Sequence, residues 1–307
     1  MTDSNYFTAP GKFYKGNLHT HSTRSDGAIS PQEVCARYHA EGYDFIALTD
    51  HFIGSFDYPI VDTRPFRDNG FTTILGAELH SGAMENGELW HILAVGLPLD
   101  FAPSNSPGNH PIANQETGPQ IAQRARDAGA YVAIAHPEWS GMTHADAASI
   151  TAAHAVEIYN HGCAVECDRA HGFYTLDQLL TRGTRLNLCA TDDAHFIQPD
   201  HFGGWTMVKA AENTPEALLE ALKNGHSYAS TGPDIQNIEW GENSVMVESS
   251  AVTTVIVQGQ GSATASVIGD NLTRTVVDLG RTAKSPWCRV TLIDEAGGHA
   301  WSNPFWR

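Results

Sequence analysis

The sequence predicts an α/β domain over residues 12–232, followed by a small all-β module over residues 233–307. Three observations carry this. Apolar runs of strand length alternate with capped helices from residue 12 to about residue 225, the pattern of a parallel α/β sheet or barrel. Near Gly232 the helical patterns stop, and short alternating segments separated by Gly, Asn and Asp follow. The strands of the first part also end, one after another, in His, Asp or Glu.

The first strand runs over residues 12–21 and ends in His19 and His21. Residues i and i+2 of a strand point to one side, so the two imidazoles share a face. Asp26 follows on the Gly27 turn. Ser30-Pro31-Gln32-Glu33 starts a helix, with Ser as N-cap, Pro at the first helical position and Glu at the capping-box position. It closes at Gly42. Residues 43–49 are a short buried strand ending in Asp50-His51. Residues 52–70 form a loop containing Arg64 and Arg67. Residues 72–77 are the third strand, ending in Glu78. The fourth covers 89–96 and carries His91. Residues 98–117, rich in Pro, Asn, Ser and Gly, read as a long loop of the kind that covers a site or sets its specificity. A helix over about 119–128 leads to a fifth strand, 131–135, ending in His136-Pro137. The sixth strand, 155–159, contains Glu157 and precedes Asn160-His161. A helix over about 166–181 leads to the seventh, 184–190, which ends in Asp192-Asp193-Ala194-His195. Thr214-Pro215-Glu216 starts the last helix.

The β module reads as six short segments: 235–240, 244–248, 253–257, 264–267, 273–278 and 288–293. The chain ends in Ala300-Trp301-Ser302-Asn303-Pro304-Phe305-Trp306. This aromatic tail reads as packing that plugs the module onto the first domain, since Trp and Phe dominate packing area.

Composition bounds the function. The chain has 307 residues, 41% of them hydrophobic and 17% charged, a globular balance. The net charge of −17 argues against a basic nucleic-acid surface and against binding to an anionic membrane. An anionic substrate then requires bound cations that reverse the local sign. The five cysteines, Cys35, Cys163, Cys167, Cys189 and Cys288, have no framework spacing, so they read as reduced thiols in a cytoplasmic protein. Cys163 and Cys167 resemble half a zinc site with no second pair to complete it. The polar residues 1–11 show no signal peptide, and no apolar run reaches the length of a membrane span.

Of sixteen histidines, six fall at strand ends or on strands with the carboxylates. His19, His21, Asp26, His51, Glu78, His91, His136, Asp193 and His195 come from six strands. In a closed parallel barrel all carboxyl ends open onto one face, which hosts the active site. His80 also shares the face of Glu78, but His91 lies inside a continuous apolar strand and is preferred. Asp192 and Asp193 point to opposite sides. The Asp-x-His spacing selects Asp193, leaving Asp192 as an orienting or turn residue.

The ordered set HTHSTRSDG, TDH, GAE, a strand histidine, AHP and DAH resembles the PHP (polymerase and histidinol phosphatase) superfamily over roughly residues 12–232. The resemblance implies a distorted (β/α)7 barrel, and seven strands is also the count reached from the residues alone. It implies three metals: one on His19, His21, Glu78 and Asp193; a second on Glu78 (bridging), His91 and His136; a third on Asp26, His51 and His195. Many relatives carry His in place of Asp26.

Imidazole and carboxylate ligands without thiolate suit two to three divalent ions of zinc, manganese or iron. The inferred reaction is hydrolysis of a small phosphodiester or phosphomonoester by a metal-bridging hydroxide. Arg24 is a candidate for contacting the phosphate, with Arg64 and Arg67 weaker ones. His161 and His201 are candidates for the leaving-group acid. The expected partner is a small-molecule phosphoester, with no nucleic-acid duplex and no membrane. The β module and the aromatic ending also resemble a branch of carbamate and carboxylic ester hydrolases of the carbaryl-hydrolase type, the alternative enzyme reading. A non-catalytic metal-binding regulatory module predicts missing ligands, and here all nine positions are filled.

Overall fold

The computed structural model describes residues 6–112 and 115–307. Of the expected long loop at 98–117, residues 113–114 lie outside the described residues, as do residues 1–5 of the polar N-terminal stretch. The chain is a mixed α/β fold organised on one large sheet. β1 (Lys12–Asn17) leads into α1 (Pro31–Ala40), β2 (Phe45–Leu48), the two-residue β3 (His51–Phe52) and β4 (Thr72–Leu79). β5 (Ile92–Val95), α2 (Gly118–Asp127), β6 (Tyr131–Ile134), α3 (His144–Ser149) and β7 (Ala155–Asn160) follow. Then come α4 (His161–Cys167), α5 (Phe173–Thr181), β8 (Asn187–Thr191), β9 (Trp205–Ala210), α6 (Pro215–Lys223) and β10 (Ser227–Ser230).

The helix starts rest on the expected capping chemistry. The Ser30 side chain accepts from Glu33 N–H with Pro31 at the first helical position, and Thr214 does the same for Ala217 ahead of Pro215. Thr117 and Gln120 form a reciprocal capping box on α2.

β1, β2 and β4 pair in parallel, as do β6, β7 and β8. β5 departs from the expected parallel order, running antiparallel to both β4 and β6. The physical reason is the connection: residues 80–91 contain no helix, and so short a link returns the chain antiparallel. The fourth strand is consequently shorter than expected, and His91 precedes it. Because β5 is reversed, its start lies beside the carboxyl end of β4, so His91 still reaches the face that Glu78 occupies. The first and last ends of this series meet beyond the regular strands. Thr20 and Ala194 form a parallel bridge, with His21 N–H donating to Ala194 O and Asp193 N–H to His19 O, both at 2.9 Å.

Other elements differ from expectation for local reasons. The helix expected over 166–181 is two helices, because Asp168 takes a left-handed conformation (φ 57°) and ends α4. α3 and β10 carry too few apolar positions to be read from the sequence, and β9, with Trp205, Met207 and Val208, is a strand beyond the seven expected. β9 pairs antiparallel with β1, and β10 with β9.

The C-terminal part contains β11 (Ile235–Trp240), β12 (Ser244–Gly259), β13 (Thr264–Asp278), β14 (Trp287–Ile293), β15 (His299–Ser302) and β16 (Phe305–Trp306). Two pairs of expected short segments fuse into the long β12 and β13, and the presumed turn residues are absorbed as register shifts around Glu248 and Val252. β15 pairs with β10, so one hydrogen-bonded sheet passes from the first part into the second. Trp301 is buried in the same apolar cluster as Val156, Leu176 and Leu188. Asn303 Oδ1 accepts from Leu188 N–H at 2.8 Å, while its amide donates to Gly225 O and Ser227 O. The aromatic ending is thus packed in structure, as its composition suggested. Arg289 adds an ion pair to Asp177 of α5.

Asp192 holds the loop after β8. Its carboxylate accepts from the Tyr38 hydroxyl at 2.7 Å and from the N–H groups of Phe202, Gly203 and Gly204 at 2.9 Å each. Burial pushes this carboxyl up, and these donors oppose the shift. Asp192→Asn would aim an amide N–H at a group that can only donate. We expect a loss of about 1–3 kcal/mol in urea unfolding of the metal-free protein. An unchanged midpoint would contradict this role.

Candidate metal centre

Glu78 lies at the end of β4, fully buried, and the site is built around it. Its Oε1 is 2.7 Å from His91 Nδ1, 3.1 Å from His136 Nε2 and 3.7 Å from His19 Nε2. Its Oε2 is 2.6 Å from His51 Nδ1, 3.6 Å from His80 Nε2 and 3.7 Å from His21 Nε2. Six imidazoles therefore stand within 4 Å of one carboxylate. His51 reaches it because β3 lies parallel to β4 with His51 directly opposite Glu78.

Two further carboxylates flank this centre. Asp193 Oδ1 is 2.9 Å from His21 Nε2 and 3.1 Å from His19 Nε2. Asp193 takes the left-handed conformation (φ 55°), which an Asp tolerates and which aims its side chain inward. Asp26 lies 3.3 Å from His51 Nε2 and 3.4 Å from His195 Nε2. The turn carrying Asp26 needs Gly27, where a Cβ would lie 2.7 Å from His21 C and Ser22 N. Four overlapping sets of ligand atoms result: His21, Asp26, His51 and His195; His51, Glu78, His80 and His91; His19, His136 and Asp193; and His19, His21 and Glu78.

The hydrogen bonds on the far sides of the rings fix which nitrogen faces inward. His80 Nδ1 donates to Trp90 O at 2.9 Å, and His195 Nδ1 to Asp193 O at 3.0 Å. His136 Nδ1 sits 3.1 Å from Ser140 Oγ, whose own proton goes to His136 O. His19 Nδ1 donates to Glu157 Oε1 at 3.0 Å. With Nδ1 so engaged, Nε2 of each of these rings is the nitrogen turned to the centre and the one that would bind a metal, the arrangement that outer hydrogen bonds impose on metal-binding histidines. His19 Nε2 and Glu78 Oε2 are buried and make no well-aligned hydrogen bond, although Asp193 Oδ1 and His51 Nδ1 lie close to them. Orphaned buried atoms are costly, and a divalent cation would satisfy both, so the donor set fits one.

Electrostatics agree. Burial alone would raise the carboxyls of Glu78 and Asp193, but the surrounding imidazoles hold both well below the usual range. Burial and neighbouring charge press His21 down to about 3, and burial, partly offset by Glu78, takes His91 to about 3. Both rings are thus neutral ligands at pH 7. His51 and His195 go the other way. Burial disfavours their charge, but Glu78 and Asp26 lift His51 to about 10, and Asp26 and Asp193 lift His195 to about 9. In the metal-free protein these two protonated rings stabilise the fold fully below their ordinary value near 6.5. That contribution is lost as pH rises through about 9 to 10. Metal-free protein is expected to lose thermal stability across that window, and Asp26→Asn to flatten the loss. A melting temperature that rises with pH there would contradict the arrangement.

The three candidates for substrate contact and acid catalysis are not at the centre. Arg24, His161 and His201 are absent from the lining of the cavity above the metal residues. Arg24 is exposed. His161 bonds the Tyr159 hydroxyl at 3.1 Å and packs on Gly203. His201 stacks on Phe196 at 4.9 Å. Arg64 pairs with Asp62, and Arg67 is held by Thr73 O. Cys163 and Cys167 belong to none of the four ligand sets, although both line the cavity.

Four residues were given no role from sequence or ranked second. His80 was weighed against His91, and the fold brings in both, since β4 supplies one and the start of β5 the other. Glu157 is buried on β7. Besides His19 it accepts from His136 N–H at 2.6 Å, Asn160 Nδ2 at 3.0 Å and the Thr191 hydroxyl. A carboxylate inside an apolar strand was the available signal. Arg169 and Trp139 line the cavity from loops that carry no pattern.

An α/β sheet whose strand ends and adjoining turns gather seven histidines and three carboxylates defines a candidate metal centre. The family model of the PHP domain matches residues 17–95. Over 87 residues, 28% of this chain, it is 37% identical to a 5′-3′ exoribonuclease of Haemophilus influenzae. The match spans 29% of that relative's length. A crystal structure from Bacteroides vulgatus, of a two-domain protein described as containing a PHP-like metal-dependent phosphoesterase, is similar with a TM-score of 0.53. The two are 18% identical, with 92% of this chain and 90% of that one covered, so they share the fold across both parts. A proposed metal-dependent phosphoesterase from Bifidobacterium adolescentis is 14% identical with a TM-score of 0.43, covering 62% of this chain and 90% of that one. Among the described residues no helix is long and apolar enough to cross a membrane.

Proposed function

We propose that this protein is a metal-dependent phosphoesterase that hydrolyses a small phosphodiester or phosphomonoester on two to three divalent ions of zinc, manganese or iron. The observation that carries the reading is Glu78, one buried carboxylate with six imidazoles within 4 Å. The fold we infer around it is a distorted seven-stranded barrel, supported by the bridge that joins the end of β1 to the end of β8.

His19, His21, Glu78 and Asp193 would hold one ion. Glu78, His91 and His136 would hold a second, with His80 beside them. Asp26, His51 and His195 would hold a third. When bound, such ions acidify a water and neutralise the charge that builds on phosphoryl oxygens. They would also make this acidic chain receptive to an anion.

The chain's own contribution is orientation and access. Glu157, Ser140 and the carbonyls of Trp90 and Asp193 fix the inward nitrogens, so no tautomer change is needed on loading. The cavity above the centre has a volume of about 970 Å³, room for a small molecule. Among the described residues Arg169 is the only Lys or Arg in its lining. It replaces Arg24 as the candidate contact for a substrate phosphate, because a guanidinium matches phosphate oxygens in pairs.

The test is metal analysis combined with turnover of bis-p-nitrophenyl phosphate, p-nitrophenyl phosphate and 1-naphthyl methylcarbamate. We expect at least two ions per chain and hydrolysis of a phosphate ester. Carbamate turnover without either phosphate would overturn the phosphoesterase reading in favour of ester hydrolysis at carbon. Sub-stoichiometric metal with no turnover would overturn the enzyme.

A further inference from the structure

Trp139 is assigned no part in holding metal, yet it stands at the centre's edge. Its ring lies 4.9 Å from that of His136 and 5.4 Å from that of His91, T-shaped to both. It lines the same cavity and is 37% exposed. Among the described residues only two of the exposed large apolar side chains line this cavity, Trp139 and Ile197.

The indole is also pre-positioned. It sits in the tight turn after His136, closed by Ser140 N–H to His136 O and Gly141 N–H to Glu138 O, both at 3.1 Å. Asn86 Nδ2 donates to Ser140 O at 2.8 Å, and His171 N–H to Glu138 Oε2 at 2.8 Å. A turn closed on itself and pinned by two outside residues loses little freedom when a ligand covers it, so its contact area is available for binding at low entropic cost.

We infer that Trp139 is a specificity residue whose open face stacks on a planar ring in the leaving group of the substrate. This rests on the hydrolase reading above. The scissile ester must be held at the centre, and Trp139 touches two of the rings that would ligate metal there. A group on Trp139 is therefore within a few bonds of the ester. Aliphatic or fully hydrated leaving groups would leave the indole wet, whereas an aromatic ring covers it and gains the offset or edge geometry that such pairs favour.

The test compares 1-naphthyl and n-butyl esters of the same phosphoryl group in the metal-loaded wild type, Trp139→Phe and Trp139→Leu. Binding of 1-naphthol to metal-free protein is measured alongside by calorimetry. In Trp139→Leu we expect kcat/KM for the naphthyl ester to fall about tenfold while the butyl ester changes less than about twofold, with Trp139→Phe close to wild type. The dissociation constant for 1-naphthol should weaken by a similar factor in Trp139→Leu. Equal falls for both esters, which a structural role would produce, would overturn the inference, as would unchanged values. If no ester turns over, the hydrolase reading fails on its own. The naphthol measurement then decides the ring contact: Trp139-dependent binding upholds it, and absent or Trp139-independent binding overturns it.

Discussion

Glu78→Gln is expected to abolish tight metal binding at the centre and to lower turnover by at least about a thousandfold. The factor follows from the several kcal/mol of transition-state stabilisation that a divalent ion supplies, at about 1.4 kcal/mol per tenfold. Glu78 is the carboxylate shared by two of the four ligand sets, one of them wholly buried. In the metal-free protein it is also the anion that six imidazoles face. A neutral amide cannot bridge two cations, and it removes the negative charge that His51 and His91 approach most closely. Metal content by plasma mass spectrometry and steady-state kinetics measure the two losses together. A Glu78→Gln protein with wild-type metal content and turnover would remove the central element of the account.

The second large effect is expected from a residue that need not touch metal. Glu157 ties three ligands into one network. It accepts from His19 Nδ1 and from His136 N–H, and Asn160 Nδ2 donates both to it and to Asp193 Oδ2 at 3.1 Å. Every group facing its two oxygens is a donor. Glu157→Gln therefore turns one amide N–H₂ toward donors, whichever way the amide is flipped. We expect a stability loss of about 1–3 kcal/mol and a 10- to 100-fold loss in metal affinity or activity, roughly the range for orienting groups behind metal ligands. His19 should change most, since it loses the acceptor that keeps its proton on Nδ1. Apparent metal dissociation constants, measured by competition with a chromophoric chelator, would read this directly. Wild-type affinity would show that the network is only structural.

What could be read from the sequence follows from how each residue is placed. His19 and His21 share a strand face by periodicity alone, and Asp193 and His195 share one spacing, so these pairs were legible before any fold. The capped helices were legible too, because Ser30, Thr117 and Thr214 announce their starts locally. The reversal of β5 was not, since direction depends on what the link from 80 to 91 fails to contain. That reversal is why both His80 and His91 reach Glu78, a choice that strand periodicity had presented as either one or the other. Glu157 was visible as a carboxylate in an apolar run, but its partners come from β1, β6 and β8 and exist only once the sheet has formed. Arg169 and Trp139 reach the cavity from loops, where no periodicity reports direction. The same applies in reverse to Arg24, His161 and His201, which stand close to the motifs in sequence and do not line the cavity.

Anomalous diffraction from crystals grown with manganese or zinc tests the central claim most directly. The account predicts at least two ion peaks in the cavity floor, with Glu78 oxygens within bonding distance of more than one of them and His19, His21, His136 and Asp193 completing their shells. Absence of ions from the floor, or ions bound elsewhere with Glu78 contacting none, would contradict it.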